Sequence, residues 1–161
     1  MTPKSMSHVA LTVRDFDRSL HFYRDLLGFQ VSQEGIEVEG NEYQQGTFEQ
    51  PNRQFRFAIL RYGKENAGPY GMGEEAPIIA LLAPLDTPPT GTGIKVDQVG
   101  ISHVGFWVNG LDAVYNELKS KGVTFVAPPH TLAKTEAGTI RSAFVQDPDG
   151  IIIQLDEMVP A

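Results

Sequence analysis

The sequence predicts an α+β fold of two tandem modules, each a strand, a helix and then three or more strands, packed by pseudo-twofold symmetry. Three observations carry this. The stretch Ser7-His8-Val9-Ala10-Leu11-Thr12-Val13 returns as Ser102-His103-Val104-Gly105-Phe106-Trp107-Val108. Each copy is followed by an amphipathic helical segment that stops at a glycine, Gly28 or Gly122. The strand-like segments beyond the helices also recur in order, residues 55–60 as 140–145 and residues 77–81 as 151–155. A two-copy repeat of this length indicates a fused pair of modules more than a solenoid. The modules read as 1–83 and 101–161, joined by a Pro- and Gly-bearing linker over 84–100.

Taken in order, the first strand alternates with period two. Val9, Leu11 and Val13 share an apolar face, as do Val104, Phe106 and Val108 in its repeat, which leaves His8 and His103 on the other face. Asp15 or Asp17 caps a helix with Phe16, Leu20, Tyr23 and Leu27 inward; His21, beside Asp17, Arg18, Arg24 and Asp25, falls on its solvated side. Residues 29–33 read as a strand, 34–54 as a polar stretch with room for an extra short strand, and 55–61 and 77–82 as strands around a Gly-rich loop. That loop lacks a following helix and a Lys-Ser/Thr pair, so it is no phosphate loop, and Gly68 to Gly73 is a candidate lid. In the second module Leu111, Val114, Tyr115 and Leu118 line one face of a helix over 111–121, and strands follow at 123–126, 140–145 and 151–155. Asp147-Pro148-Asp149-Gly150 is a turn between the last two, structural in role. The separation of matched positions shrinks from His8/His103 to Arg56/Arg141 to Ala80/Gln154, so the first module has the longer loops.

Composition narrows the function. A formal net charge of -7 and a pI near 5.0 leave no basic stripe for a phosphate backbone or an anionic membrane surface. A small diffusible ligand is the expected partner. With no cysteine there is neither a disulfide framework nor a thiolate metal site. The first residues lead into a strand without an apolar signal core, and no apolar run reaches the roughly 18 residues of a membrane span, so the cytoplasm is the expected compartment.

The segments His8-Val9-Ala10-Leu11-Thr12-Val13, Phe22-Tyr23-Arg24-Asp25-Leu26-Leu27-Gly28-Phe29, His103-Val104-Gly105-Phe106 and Asp147-Pro148-Asp149-Gly150 resemble the vicinal oxygen chelate superfamily. That group includes glyoxalase I, methylmalonyl-CoA epimerase, extradiol dioxygenases, and the fosfomycin and bleomycin resistance proteins. The resemblance spans nearly the whole chain and is more specific for fold than for reaction. It implies two βαβββ modules whose mixed sheets curl into a cup, with a divalent metal held on the concave face by the first and last strand of each module.

The superfamily's ligand positions correspond here to His8, Ala80, His103 and Gln154. Members with isomerase or dioxygenase chemistry usually keep glutamate where Gln154 stands, and often Glu or Gln where Ala80 stands. The candidate metal set is therefore His8, His103 and Gln154, for Fe, Mn, Ni or Zn, or for no metal at all. Two imidazoles and an amide oxygen supply no charge to offset the ion's own, and no metal-bound carboxylate is left to act as base. Asp156 lies on the Gln154 face roughly 6.6 Å further along the strand, at about 3.3 Å per residue. Arg56 and Arg141 are expected on the concave face with Ala58 and Ala143, as clamps for a carboxylate or phosphate or else in rim ion pairs. Trp107 is a candidate stacking platform or core residue, and His130, read as a loop residue after Pro128-Pro129, a candidate acid or base over the mouth.

Two functions from different classes follow. One is a metal-assisted lyase, isomerase or dioxygenase-type enzyme acting on a small oxygen-bearing substrate. The other is a metal-free binder resembling the drug-sequestering members, with an apolar and aromatic pocket. A homodimer is the expected assembly, because sheet edges need cover and twofold pairing is the commonest closed symmetry.

Overall fold

The structure, a computed structural model, describes residues 8–38, 54–62 and 78–161. The chain divides into two compact units, one reaching Gly91 and the other running from Thr92 to Ala161. In the first, β1 (Val9–Thr12), α1 (Phe16–Leu20), β2 (Gln30–Val38), β3 (Gln54–Arg61) and β4 (Ile78–Pro84) follow one another. In the second the order repeats as β5 (His103–Trp107), α2 (Leu111–Ser120), β6 (Phe125–Thr135), β7 (Gly138–Gln146) and β8 (Ile152–Pro160). The sheets run β1-β4-β3-β2 and β5-β8-β7-β6. In each, the first strand pairs with the last in parallel and the other pairs are antiparallel. This is the βαβββ arrangement twice over, in an α+β protein.

Each sheet has one face covered by its own helix. In the first unit Leu11, Val13, Ala58, Leu60, Ile79 and Leu81 are buried there with Phe16, Leu20, Phe22 and Tyr23 from the helical segment. In the second unit Phe106, Ala143, Val145, Ile153 and Leu155 are buried with Leu111 and Leu118 of α2. Each large apolar side chain among them contributes about 1.5–3 kcal/mol when fully removed from water, so these faces dominate the stability of each unit.

The first helix departs from a regular α period. Asp15 is its cap, accepting from the Arg18 amide at 3.0 Å, and after five residues the chain widens into a π-helical turn over His21–Leu26. The Leu27 amide accordingly bonds to the Phe22 carbonyl at 3.0 Å. The widening brings the adjacent Phe22 and Tyr23 inward together and leaves Leu27 only half-buried, where 3.6-residue spacing places Tyr23 and Leu27 inward. His21 is exposed, as expected, and bonds Asp25 at 2.8 Å.

β6 corrects the sequence reading of a short strand followed by a loop, for it runs eleven residues to Thr135 through Pro128 and Pro129. A proline lacks the amide a central strand needs, but β6 is an edge strand and its register against β7 skips from Ala127 to His130, so neither proline is paired with a residue of β7. The residues expected to hold an extra strand fall largely within 39–53, and the candidate lid at Gly68 to Gly73 falls within 63–77; both lie outside the described residues.

The Asp147 turn is built as a side-chain-capped loop. The buried carboxylate accepts from the amides of Asp149 at 2.9 Å and Ile151 at 2.8 Å, and Gly150 turns at φ 84°. Gly93 of the linker lies against this turn, and a Cβ there would stand 2.2 Å from the Gly150 carbonyl oxygen.

Candidate functional site

Residues paired across a sheet share a face, so register assigns every strand side chain to the helix side or the open side. In the first unit Ala10 pairs with Ala80, which puts Ala80 on the face of exposed His8, away from the helix. In the second unit Gly105 pairs with Gln154, Trp107 with Asp156, Phe144 with Gln154 and Ser142 with Asp156. His103 is two residues from Gly105, and His130 pairs with Ser142. The open face of the second sheet thus collects His103, His130, Trp107, Phe144, Gln154 and Asp156.

Phe144 stands between the two imidazoles. Its ring centroid is 6.2 Å from that of His103, edge-on, and 6.0 Å from that of His130, stacked at 20°. Both histidines are exposed, and each ring is steered by its own chain. Nδ1 of His130 donates to the Pro128 carbonyl at 2.8 Å, so the neutral ring presents Nε2 as an acceptor. Nδ1 of His103 meets the Ser102 hydroxyl at 2.9 Å. His130 is therefore a strand residue on the open face and not a loop residue.

Beside this trio lies a hydrogen-bonded chain. The hydroxyl of fully buried Ser142 donates to Oδ1 of Asp156, and Nε2 of Gln154 reaches both Asp156 oxygens at 2.9 and 3.0 Å. An ionised carboxylate only accepts, so the amide must turn its NH₂ to Asp156 and its Oε1 away. Ser142 and Phe144 were not singled out from the sequence. The available signal was alternation, since both lie two-residue steps from each other on β7 with Ala143 buried between them.

The two arginines are on the other side. Arg56 and Arg141 do share a face with Ala58 and Ala143, but it is the helix side, so neither is a clamp for a ligand on the open face. Arg141 holds the Asp112 carboxylate of the first turn of α2 at 2.7 and 2.8 Å and lies 3.5 Å from Glu157. Arg56 bridges Asp17 of α1 at 2.9 Å and Glu34 at 2.7 Å, its guanidinium 4.1 Å from the centre of the Phe16 ring. The helix starts supply carboxylates at the sheet margin, and the long stems carry the charge out to them. Hydrogen bonding to Arg141 holds the Asp112 carboxyl below its ordinary range, and the carboxylates push both guanidinium pKa values up.

The donor set for a metal can be judged from the same atoms. Ala80 offers no donor, and Gln154, with its NH₂ bound to Asp156, offers only a neutral amide oxygen. Among the described residues no three His, Cys, Asp or Glu side chains gather where one ion could hold them. Two imidazoles from separate units and one amide oxygen are a poor match to a site that relies on carboxylate charge.

A family model described as the Glyoxalase/Bleomycin resistance protein/Dioxygenase superfamily matches residues 5–155. The chain is 28% identical to a probable lactoylglutathione lyase of Synechocystis sp. over 92% of its own length and 91% of that protein's. It is 29% identical to the uncharacterized protein YwkD of Bacillus subtilis, over 98% and 99% of the two chains. Among solved structures, a glyoxalase family protein from Bacillus cereus superposes with a TM-score of 0.73 at 20% identity, covering 99% of this chain and 97% of that one.

Proposed function

The chain belongs to the Glyoxalase/Bleomycin resistance protein/Dioxygenase superfamily, and from that membership we propose that it is a binder of a small planar molecule, held on the open face of the β5–β8 sheet without a carboxylate-based metal centre. The observation that carries this reading is Phe144 flanked by His103 and His130, an aromatic platform with polar edges on the side of the sheet away from α2. Such a mixture of ring faces and a few oriented polar atoms is how small-molecule sites gain affinity and orientation together. The cytoplasm and a homodimer are the compartment and assembly that go with it.

The test is a screen of neutral planar fragments followed by NMR of the imidazole and aromatic ring signals. Ligands are expected to move His103 and His130 together, and Phe144→Ala is expected to abolish the response while the rest of the spectrum is kept. Ligands that bind without moving either histidine would overturn the reading.

A second reading is favoured by the matched histidines and by relatives named as lactoylglutathione lyases. In it His8, His103 and Gln154 hold a divalent ion, which would polarise an oxygen-bearing substrate in a lyase, isomerase or dioxygenase-type reaction. Trp107 would stack on that substrate and His130 would carry a proton. Stoichiometric Mn, Fe, Ni or Zn in elemental analysis of freshly purified protein would establish this reading over the first.

A further inference from the structure

Resting on the open-face binding site, we infer that its ligand is a planar cation or multiple N–H donor of the amidine or aminoheterocycle class, selected by Asp156. Three of the polar side chains on that face, Asp156, Gln154 and His130, present acceptors. Asp156 receives only Ser142 and Gln154 among the described residues, which uses part of a carboxylate's roughly four lone-pair sites. Gln154, with its NH₂ bound to Asp156, has only Oε1 to offer. His130, with Nδ1 bound to Pro128, offers Nε2. Three acceptors around one aromatic ring call for a flat ligand rich in donors.

Two further features agree. Gly105 sits mid-strand beside Gln154, and a Cβ there would be 3.8 Å from Oδ2 of Asp156 and 3.9 Å from Cβ of Gln154. Glycine weakens a strand, and its use here leaves the carboxylate open to close approach. The register also puts no Lys or Arg on this face among the described residues: Arg141 pairs with Thr131 and Glu157, and Lys134 with Thr139, all on the helix side. An anion brought to this face would meet the Asp156 charge with no cation to offset it, in a chain of formal net charge -7.

The test uses three probes of one shape on the full chain: benzamidine, benzamide and benzoate, followed by calorimetry and by the His103 and His130 ring signals. Benzamidine is expected to bind about tenfold or more tightly than benzamide, and benzoate not at all. Asp156→Asn, which can still accept from Ser142, is expected to erase the preference while keeping benzamide binding. Should that variant fail to fold, the unmodified protein still decides the matter, because benzamidine affinity must fall between 10 and 500 mM NaCl while benzamide affinity does not. Equal or tighter binding of benzoate, or a salt-independent benzamidine affinity, would overturn the inference while leaving the open-face site intact. Failure of all three probes to move either histidine would overturn both.

Discussion

Arg141 grips Asp112 with two parallel hydrogen bonds of 2.7 and 2.8 Å, and Arg56 makes the matching strand-to-helix contact with Asp17 at 2.9 Å. The strap belongs to the duplicated fold. Because Arg141 holds the Asp112 carboxyl below its ordinary range, the pair's contribution is complete above the ordinary value near 3.9 and is lost as pH falls through the lower folded value. Arg141→Gln is expected to raise the Asp112 titration midpoint toward that ordinary value, followed by NMR, and to leave small-molecule binding on the open face unchanged. Lost binding with an unmoved Asp112 midpoint would return Arg141 to the site.

Gln154→Glu sets a second carboxylate where an amide now donates to Asp156 at 2.9 and 3.0 Å. Two carboxylates so close cannot both ionise freely, so one folded pKa rises. Stability is then complete below the ordinary carboxylate range and lost as pH rises through the raised value. The variant's Tm is expected to fall from pH 5 to pH 8 more than that of the unmodified protein, and Mn²⁺, Fe²⁺, Ni²⁺ or Zn²⁺ to raise neither. A metal-dependent rise, larger in the variant, would support the metal-assisted reading instead, since an ion that binds only the folded state stabilises it.

Asp147→Ala removes the acceptor of two amides in a buried turn. The expected loss is about 1–3 kcal/mol by denaturant unfolding, with Asp147→Asn milder because its amide oxygen can take the place of the single Oδ1 that accepts both amides.

Gly93→Ala and Gly91→Ala separate two reasons for glycine. At Gly93 the added methyl would sit 2.2 Å from a carbonyl oxygen of Gly150, so backbone must move, at a cost of about 1–3 kcal/mol. At Gly91, with φ 83° and nothing within 4 Å, only the left-handed conformation is strained, at about 1–2 kcal/mol. Shortening residue 149–151 contacts by crystallography or NMR should show displacement in the first variant and not in the second.

Alternation made much of the fold readable. Isoleucine and leucine at 79, 81, 153 and 155 marked the buried side, so Ala80 and Gln154 fell correctly on the faces of His8 and His103. It failed for the arginines because β3 is apolar on both sides, with Phe57 and Ile59 alternating with Ala58 and Leu60, and a small alanine says nothing about which side a helix covers. His130 was misplaced because Pro128-Pro129 reads as a break, which holds for a central strand and not for an edge. The π-helical turn had only the neighbouring Phe22 and Tyr23 as a trace, two aromatics that a regular helix would direct some 100° apart.

The interrupted β6 edge has a consequence for the life of the protein in a crowded cell. An uncapped strand of eleven residues is a template on which another chain can build a ladder, the first step toward fibres. The Pro128-Pro129 pair removes the outward amide that one of two adjacent strand residues would otherwise turn to such a newcomer, the three register shifts bend the rest out of line, and the His130 ring already occupies the Pro128 carbonyl. The imidazole proposed to orient a ligand on one side of the sheet thus also helps keep the sheet's margin from recruiting its neighbours.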